Sequence, residues 1–170
     1  MCSVNRKVFW VHFLAWILFF SCWADSEAQS LHTIEDKLAI AENLAGYSYR
    51  WDAKDAEGFS NLFAADGVME RWRGDEFVMT SRVTGRKAIF DYAKRSHEGR
   101  LADRKTRHHF SALVFLELSE STAITEHLAL ITHQTADSRI PFITASGTYR
   151  NTWAKTDRGW KISKRVLSLD

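Results

Sequence analysis

Two long runs of alternating apolar and polar residues dominate the second half of the chain. They cover Thr106–Leu118 and Thr122–Gln134, and a short polar tip, Ser119–Ser121, separates them. Val, Ile, Leu, Phe and Thr are common in both runs, which is typical of half-buried β-strands. The pattern therefore predicts a long antiparallel hairpin that turns at the polar tip.

The predicted turn also determines which residues face each other across the hairpin. With a two-residue turn at the tip, His108 lies opposite His133. Directly opposed residues share one face of a sheet, with Cβ atoms about 5 Å apart. This register places the two imidazoles side by side at the end of an apolar sheet face. That face comprises Phe110, Ala112, Val114, Leu116, Ala129 and Ile131.

Helical spacing appears earlier in the chain. The stretch Leu31–Trp51 predicts an amphipathic helix, and its buried stripe consists of Ile34, Leu38, Ala41, Ala45 and Ser48. The same spacing continues to Asp52, where a buried carboxylate would need partners because burying an ionised group costs free energy. Asp52 either faces a pocket or caps the next helix, Ala56–Ala64, and we assign that cap to Asp55.

The remaining elements complete an α+β pattern. The predicted elements are strands at Val68–Arg73 and Phe77–Val83, a helix at Gly85–His97, and strands at Ile140–Lys155 and Trp160–Leu169. Helices that precede a run of long antiparallel strands are typical of an α+β domain. We expect a curved, mostly antiparallel six-stranded sheet wrapped on three helices, with a cone-shaped cavity between sheet and helices.

The first 28 residues have the pattern of a secretory signal peptide. Arg6 and Lys7 precede an apolar run, Val8–Phe20, and small and polar residues follow up to Ala28. The run is shorter than the roughly 20 residues that span a membrane. We expect cleavage after Ala28, export to a periplasmic or secreted location, and no stable membrane span after processing. An uncleaved membrane anchor is the alternative.

Composition limits the classes of protein that residues 29–170 can form. Both cysteines, Cys2 and Cys22, lie in the N-terminal segment, so the mature domain has no disulfide or thiolate chemistry. The formal net charge is +2, and basic and acidic residues are interspersed. This distribution argues against a nucleic-acid partner. We expect one soluble globular domain.

Several motifs resemble the SnoaL-like members of the NTF2-like superfamily, and scytalone dehydratase in particular. Tyr49–Asp55 is similar to the family's helix-end motif, in which an aromatic residue precedes a pocket aspartate. Thr106-Arg107-His108 resembles the family's T-x-H motif, and the spacing to His133 fits its second histidine. The resemblance covers about Thr33–Leu169. It implies an NTF2-like cone for residues 29–170.

The resemblance also implies acid–base chemistry by Asp52, His108 and His133. The pKa of imidazole lies near neutrality, so a histidine can both accept and donate a proton. In this interpretation the Asp52 carboxylate orients His133, and His108 exchanges the proton with the substrate. We predict a cofactor-independent lyase or isomerase, dehydratase-like, that acts on a small apolar molecule with a carbonyl group.

The groups that polarise the carbonyl in scytalone dehydratase are not matched. The family holds a water against the substrate with two tyrosines, whereas this chain has Trp51 at one position and Arg71 or Trp72 at the other. We expect five residues to line the cavity, namely Tyr49, Trp51, Trp72, Phe110 and Arg150. Core packing is the alternative for the aromatic residues. Arg150 and Asn151 alternate, and the sequence leaves open which of them points inward.

A metal site is not predicted. His127 shares the inner sheet face with His133, but six residues along a strand separate two side chains by roughly 20 Å. Zinc ligands lie about 2 Å from one ion, so these two histidines cannot share it. We expect no metal and no organic cofactor.

Two other functions are compatible with the predicted fold, and the outer sheet face predicts a dimer. A non-catalytic module could use the same cavity to bind a small ligand, and a large distance between Asp52 and both imidazoles would favour it. A weaker alternative is the small subunit of a ring-hydroxylating dioxygenase, which shares the fold. Leu113 and Phe115 are predicted on the outer sheet face, so we expect a homodimer that covers it.

Overall fold

The computed structural model describes residues 29, 31–138 and 140–170. The chain divides into two compact units, residues 1–38 and residues 39–170, and the sheet, core and cavity described below belong to the second. The predicted signal peptide, residues 1–28, lies outside the described residues. None of the helices in the described part is long and apolar enough to cross a membrane.

Three α-helices and seven strands make up the described chain. Helix α1 covers residues 31–52, of which 39–52 lie in the second unit. The other helices are α2, Ala56–Ser60, and α3, Arg86–Glu98. The strands are β1 (Phe63–Arg73), β2 (Glu76–Phe77), β3 (Val83–Thr84), β4 (Arg104–Leu118), β5 (Thr122–Thr135), β6 (Phe142–Thr156) and β7 (Gly159–Leu169).

The sheet follows the predicted α+β architecture. Its strand order is β2-β1-β7-β6-β5-β4, with β3 paired to β1. All pairs are antiparallel except β1 with β7, so the curved sheet is mostly antiparallel and does not close. There are seven strands instead of the predicted six. A 3₁₀ turn at Met79–Ser81 divides the predicted second strand into β2 and β3.

The buried stripe of α1 differs from the predicted one. Ile40, Leu44, Tyr47 and Trp51 form the buried face. Ile34 and Leu38, which helical spacing predicts in the core, are more than half exposed. The real stripe is displaced by one residue, about 100° around the helix, because the bulky rings remove more apolar surface from water than alanine does. Asp52 is left beside the stripe, partly buried.

The predicted cap of the second helix is confirmed. Asp55 is the N-cap of α2, and its Oδ1 accepts a hydrogen bond of 2.8 Å from the Gly58 amide. Burial changes this carboxyl little, and the bonds from Gly58 and Arg50 hold its pKa below the usual value. This leaves Asp52 free for a separate role.

The β4–β5 hairpin follows the predicted register only near its tip. Two β-bulges, between Ser111 and Val114 and between Phe115 and Glu117, each insert one residue into β4. Towards the open end of the hairpin, the partners are therefore displaced by two residues.

These bulges separate the two histidines that the sequence placed opposite each other. His108 lies opposite Ile131, and His133 lies opposite Thr106, so the predicted face-to-face pair is wrong. Side chains alternate with a period of two, so one bulge exchanges the faces of a strand and a second bulge restores them. Both imidazoles consequently remain on the inner face of the sheet.

Between the two bulges the faces are reversed. Leu113 and Phe115 pack against the core, whereas Val114 and Leu116 are exposed, which is opposite to the prediction. Ala112 has φ = 54°, in the left-handed region that residues with a Cβ rarely adopt. This local conformation, which alternation alone does not reveal, produces the change of face.

Candidate active site

Asp52 and His108 form a hydrogen-bonded pair where α1 ends against β4. The Asp52 Oδ1 atom lies 2.8 Å from His108 Nδ1, and Oδ2 accepts a 2.9 Å hydrogen bond from the His108 amide. The Thr106 hydroxyl donates to Oδ1 at 2.6 Å. The His108 and Asp52 side chains are 6% and 11% exposed, so the pair is largely shielded from water.

The environment keeps the Asp52 carboxyl ionised. Burial raises its pKa, but the hydrogen bonds from His108 and Thr106 outweigh burial and hold the pKa below the usual value. An ionised carboxylate only accepts hydrogen bonds, so the proton of the 2.8 Å contact belongs to Nδ1 of His108. In neutral His108 the other ring nitrogen, Nε2, is then the proton acceptor.

This arrangement corrects the predicted partner of the carboxylate. Asp52 orients His108 and not His133. The Nδ1 atom of His133 is buried and has no hydrogen-bond partner among the described residues. Burial, together with the nearby charges of Arg104 and Arg100, lowers the pKa of His133, so this ring is neutral near pH 7.

Both histidines line a cavity of about 380 Å³ enclosed by α1, α3 and the inner sheet face. Its walls include Tyr47 and Trp51 from α1, Tyr149 from β6 and Arg165 from β7. A cavity of this size accommodates a small organic molecule. Aromatic rings and a few polar groups thus surround the Asp52–His108 pair.

Arg165 is the unexpected member of this cavity wall. Its Cζ lies 3.3 Å from the centroid of the Tyr47 ring and 3.6 Å from that of Tyr149, so the guanidinium contacts both phenol rings. The same Tyr47 ring has its centroid 6.2 Å from that of His108. Tyr47 therefore lies beside both the Asp52–His108 pair and the buried cation.

The SnoaL-like domain family matches residues 32–166. The chain belongs to this family. No curated protein sequence matches the chain.

Solved structures agree with this assignment. Rv3472 from Mycobacterium tuberculosis, a protein of unknown function, is 26% identical, with a TM-score of 0.68 over 82% of this chain and 74% of that one. A protein from Novosphingobium aromaticivorans, proposed to be a scytalone dehydratase, is 25% identical, with a TM-score of 0.66 over 81% and 86%. An NTF2-like protein with a cystatin-like fold from the same organism is 24% identical, with a TM-score of 0.71 over 84% and 86%. The predicted NTF2-like fold is confirmed.

Of the five predicted substrate-binding residues, Trp51 lines the cavity of this SnoaL-like domain. Tyr49 does not, because its position on α1 leaves it 71% exposed. Arg150 points to the outer sheet face, where it lies 3.6 Å from Glu126, and Asn151 is the buried neighbour that points inward. The placements predicted for Tyr49 and Arg150 are therefore wrong.

The other two predicted residues pack beside the cavity. Trp72 packs at a tilt against Phe77, with ring centroids 5.5 Å apart, and its indole nitrogen donates to Glu70 at 3.3 Å. Phe110 lies against His127 and Tyr149, with centroids 4.5 and 5.5 Å away. Core packing, the alternative for these aromatic residues, describes Phe110, whereas Trp72 is partly exposed and lies outside the core cluster.

The sequence pattern did not predict Tyr47 or Arg165 at the site, whereas Tyr149 was a candidate for a polar group in the pocket. Tyr149 has the same alternation as Asn151, so the inward position of either residue predicts that of the other. Arg165 is hidden by a register shift between β6 and β7, which makes Ser163 an extra residue. Simple alternation from Ile162 would place Lys164 inside, but the bulge turns Arg165 inward instead.

The described part of this SnoaL-like domain holds no group of three or more histidine, cysteine, aspartate or glutamate side chains suited to a metal ion. Its buried His127 lies 3.5 Å from the Asn151 amide nitrogen and stacks on Tyr149. Burial and the charge of Arg165 lower the pKa of His127 to about 3. His127 is therefore a neutral core residue behind the cavity.

Proposed function

We propose that this SnoaL-like domain is a cofactor-independent lyase or isomerase that transfers protons on a small carbonyl-bearing molecule. The observation that carries the proposal is the 2.8 Å contact between Asp52 and His108 at the cavity wall. A carboxylate that fixes one nitrogen of a histidine leaves the other nitrogen ready to act as a base. A short distance between these groups favours catalysis over the ligand-binding alternative.

The reaction begins with His108 as the general base. Its Nε2 removes a proton from the carbon α to the substrate carbonyl, and the electron pair of the C–H bond moves to the carbonyl oxygen as an enolate. The Asp52 carboxylate stabilises the resulting imidazolium. His108 then returns the proton to a departing β-hydroxyl, which leaves as water when the C–O bond breaks and a C=C bond forms. Return of the proton to another carbon gives isomerisation instead.

The phenols of Tyr47 and Tyr149 are the candidate donors to the developing enolate oxygen. Both line the cavity, and they come from positions other than those that supply tyrosines in scytalone dehydratase. Burial raises the pKa of Tyr47 far above its usual value, although Arg165 opposes this effect. Tyr47 therefore keeps its hydroxyl proton throughout the neutral range and remains a hydrogen-bond donor.

Proton abstraction is tested most directly by exchange of α-protons in D₂O, followed by NMR on a panel of β-hydroxy ketones and β,γ-unsaturated ketones. We expect His108→Gln to lower the exchange rate by roughly 10²–10⁴-fold, because the base is lost. His109→Gln is the matched control, since His109 is exposed on the opposite face of the strand, where its ring lies 3.2 Å from the Thr132 hydroxyl. Equal rates in His108→Gln and the parent would refute the proposal. Binding of a panel compound without exchange would indicate a ligand-binding module.

We further propose that a second copy of the chain covers the outer sheet face. Val114, Leu116, Leu128 and Leu130 are exposed there, on neighbouring strands β4 and β5. Clustered apolar surface of this kind is normally buried in an interface. Light scattering at micromolar concentration should give the dimer mass for the parent and the monomer mass for Leu128→Glu. A monomeric parent would contradict the proposal.

Export by residues 1–28 also remains a proposal. The motivating pattern is the basic start and the apolar run Val8–Phe20. Mass spectrometry of the protein from an exporting host should give the mass of a chain that begins at Gln29. Retention of the full-length mass in the membrane fraction would favour the uncleaved anchor.

A further inference from the structure

Arg165 is a buried charge that contacts the Tyr47 and Tyr149 rings but has no hydrogen-bond or ion-pair partner among the described residues. The residue is 2% exposed, and the nitrogens Nε, Nη1 and Nη2 all lack a hydrogen-bond acceptor within the described chain. A guanidinium stays protonated at any pH that proteins tolerate, so it cannot avoid the cost of burial by losing its proton. Unpaired buried charges are strongly unfavourable, and their presence in a cavity wall indicates a ligand.

The nearby carboxylates are already satisfied by other groups. Glu70, which lines the same cavity, binds Arg82 at 2.7 Å and Lys164 at 3.1 Å. Asp52 is held by His108 and by the Thr106 hydroxyl. No salt bridge joins either carboxylate to Arg165. The counter-charge that the guanidinium needs must therefore come from outside the described chain.

The two tyrosines define how an anion can approach. The rings of Tyr47 and Tyr149 lie 3.3 and 3.6 Å from the guanidinium carbon, with an angle of 57° between their planes, so they pack against the guanidinium from two directions and its N–H donors are the groups left for an anion. Those donors form a planar fork that matches two oxygens of a carboxylate. The nitrogens are shielded from solvent in this structure, and an anion therefore reaches them by displacing one ring.

We propose that Arg165 binds a carboxylate of the substrate, so that the molecule processed by this site is an acid with an apolar body. The inference rests on the proposed function for the identity of the ligand as a substrate. Trp51 and Ile131 supply apolar surface to the same cavity. The carboxylate on Arg165 acts as an anchor, and the carbon that exchanges its proton faces His108 on the other side of Tyr47.

The test compares benzoate with benzamide, two rigid probes of nearly equal shape that differ in charge. Affinities are measured by calorimetry at constant ionic strength. We expect the parent to bind benzoate at least tenfold more tightly than benzamide, and Arg165→Met to bind both equally. Arg165→Lys keeps the charge but not the fork, so it should retain a smaller preference. Arg158→Met, an exposed position in the β6–β7 turn, should behave as the parent.

Three results would overturn the proposal. They are equal affinities of the parent for benzoate and benzamide, an unchanged preference in Arg165→Met, and binding of inorganic phosphate as tight as that of benzoate. Circular dichroism checks that the variants fold, and if Arg165→Met does not fold, the parent and Arg165→Lys decide the question. His108→Gln should keep the benzoate preference. Failure of the acid–base proposal is therefore distinguishable from failure of the anchor.

Discussion

The ring of Tyr47 lies beside two buried polar groups, of which one is fully hydrogen-bonded and the other has no hydrogen-bond partner among the described residues. On one side, the Asp52 carboxylate has three hydrogen bonds, from the His108 ring, the His108 amide and Thr106. On the other side, Arg165 has no hydrogen-bond acceptor among the described residues. His127 and Asn151, behind Arg165, also contain buried atoms without partners.

The Asp52–His108 pair is preorganised in the absence of a ligand, whereas Arg165 lacks a hydrogen-bond partner until one binds. A fully hydrogen-bonded group is oriented before any ligand arrives, which is what a general base requires. An unpaired group raises the free energy of the folded state and regains that free energy when a complementary ligand binds. The Asp52–His108 pair should therefore control the rate of proton transfer. Arg165 should control ligand affinity and the stability of the folded protein.

The largest effect is expected from Asp52→Asn, which disrupts the hydrogen-bonded Asp52–His108 pair. An amide cannot accept hydrogen bonds at both positions, so His108 loses its fixed tautomer and the stabilisation of its imidazolium. We expect the exchange rate to fall on the order of 10²–10⁴-fold, measured by α-proton exchange. Asp55→Asn is the control, because asparagine also caps helices well. A parent-like rate in Asp52→Asn would remove the distinction between the two sides.

A second prediction concerns His127, near Arg165, and the pH dependence of protein stability. The pKa of His127 is about 3 in the folded protein, against 6.5 for an ordinary histidine. Between these values the unfolded chain takes up a proton and the folded protein does not. Stability should thus fall as the pH drops, by about 2.5 kcal/mol between pH 6 and pH 4 from this residue.

Urea denaturation at a series of pH values measures this dependence. His127→Phe should reduce the loss of stability between pH 6 and pH 4, because phenylalanine takes up no proton. His32→Phe, the same substitution at an exposed position in the first unit, is the matched control. An identical slope in His127→Phe and the parent would show that His127 titrates normally.

Replacing Arg165 by methionine should stabilise the protein. The substitution removes a buried charge that has no ion-pair partner, and it retains most of the apolar stem. We expect the free energy of unfolding to rise by about 1–3 kcal/mol, measured by urea denaturation. Destabilisation beyond that of Arg158→Met would instead mean that the cation holds the two tyrosine rings in place.

The smallest effect is expected from Thr106→Val, beside the Asp52–His108 pair. The variant loses the 2.6 Å hydrogen bond to Asp52 while keeping the side-chain shape. We expect a loss of about 1–2 kcal/mol in the free energy of unfolding, as for a hydrogen bond to a charged group. Thr132→Val removes an exposed hydroxyl contact to His109 and should cost less than about 0.5 kcal/mol.

Much of the fold was predictable because alternation and helical spacing are local signals. The predicted hairpin strands, Thr106–Leu118 and Thr122–Gln134, differ from β4 and β5 by at most two residues at each end. The inward face of His108, in preference to His109, also followed from alternation. Asp52 was found because a carboxylate at the edge of an apolar stripe needs a partner.

The rest depended on geometry that spacing does not encode. Bulges in β4 and β7 shifted the partners and brought Arg165 inward in place of Lys164. The choice of His108 over His133 as the partner of Asp52 depends on where α1 meets the sheet. Tyr47 was missed because the stripe predicted for α1 was displaced by one residue.

The paired bulges of β4 have a consequence for how this hairpin tolerates length changes. Two bulge residues lie between the tip and His108, and because their number is even, the His108 imidazole faces the inner side of the sheet. Loss of one residue near Ala112 would turn His108 to solvent and His109 towards Asp52. Loss of a residue from each bulge would restore His108. Related chains should therefore vary in this segment by pairs of residues or not at all.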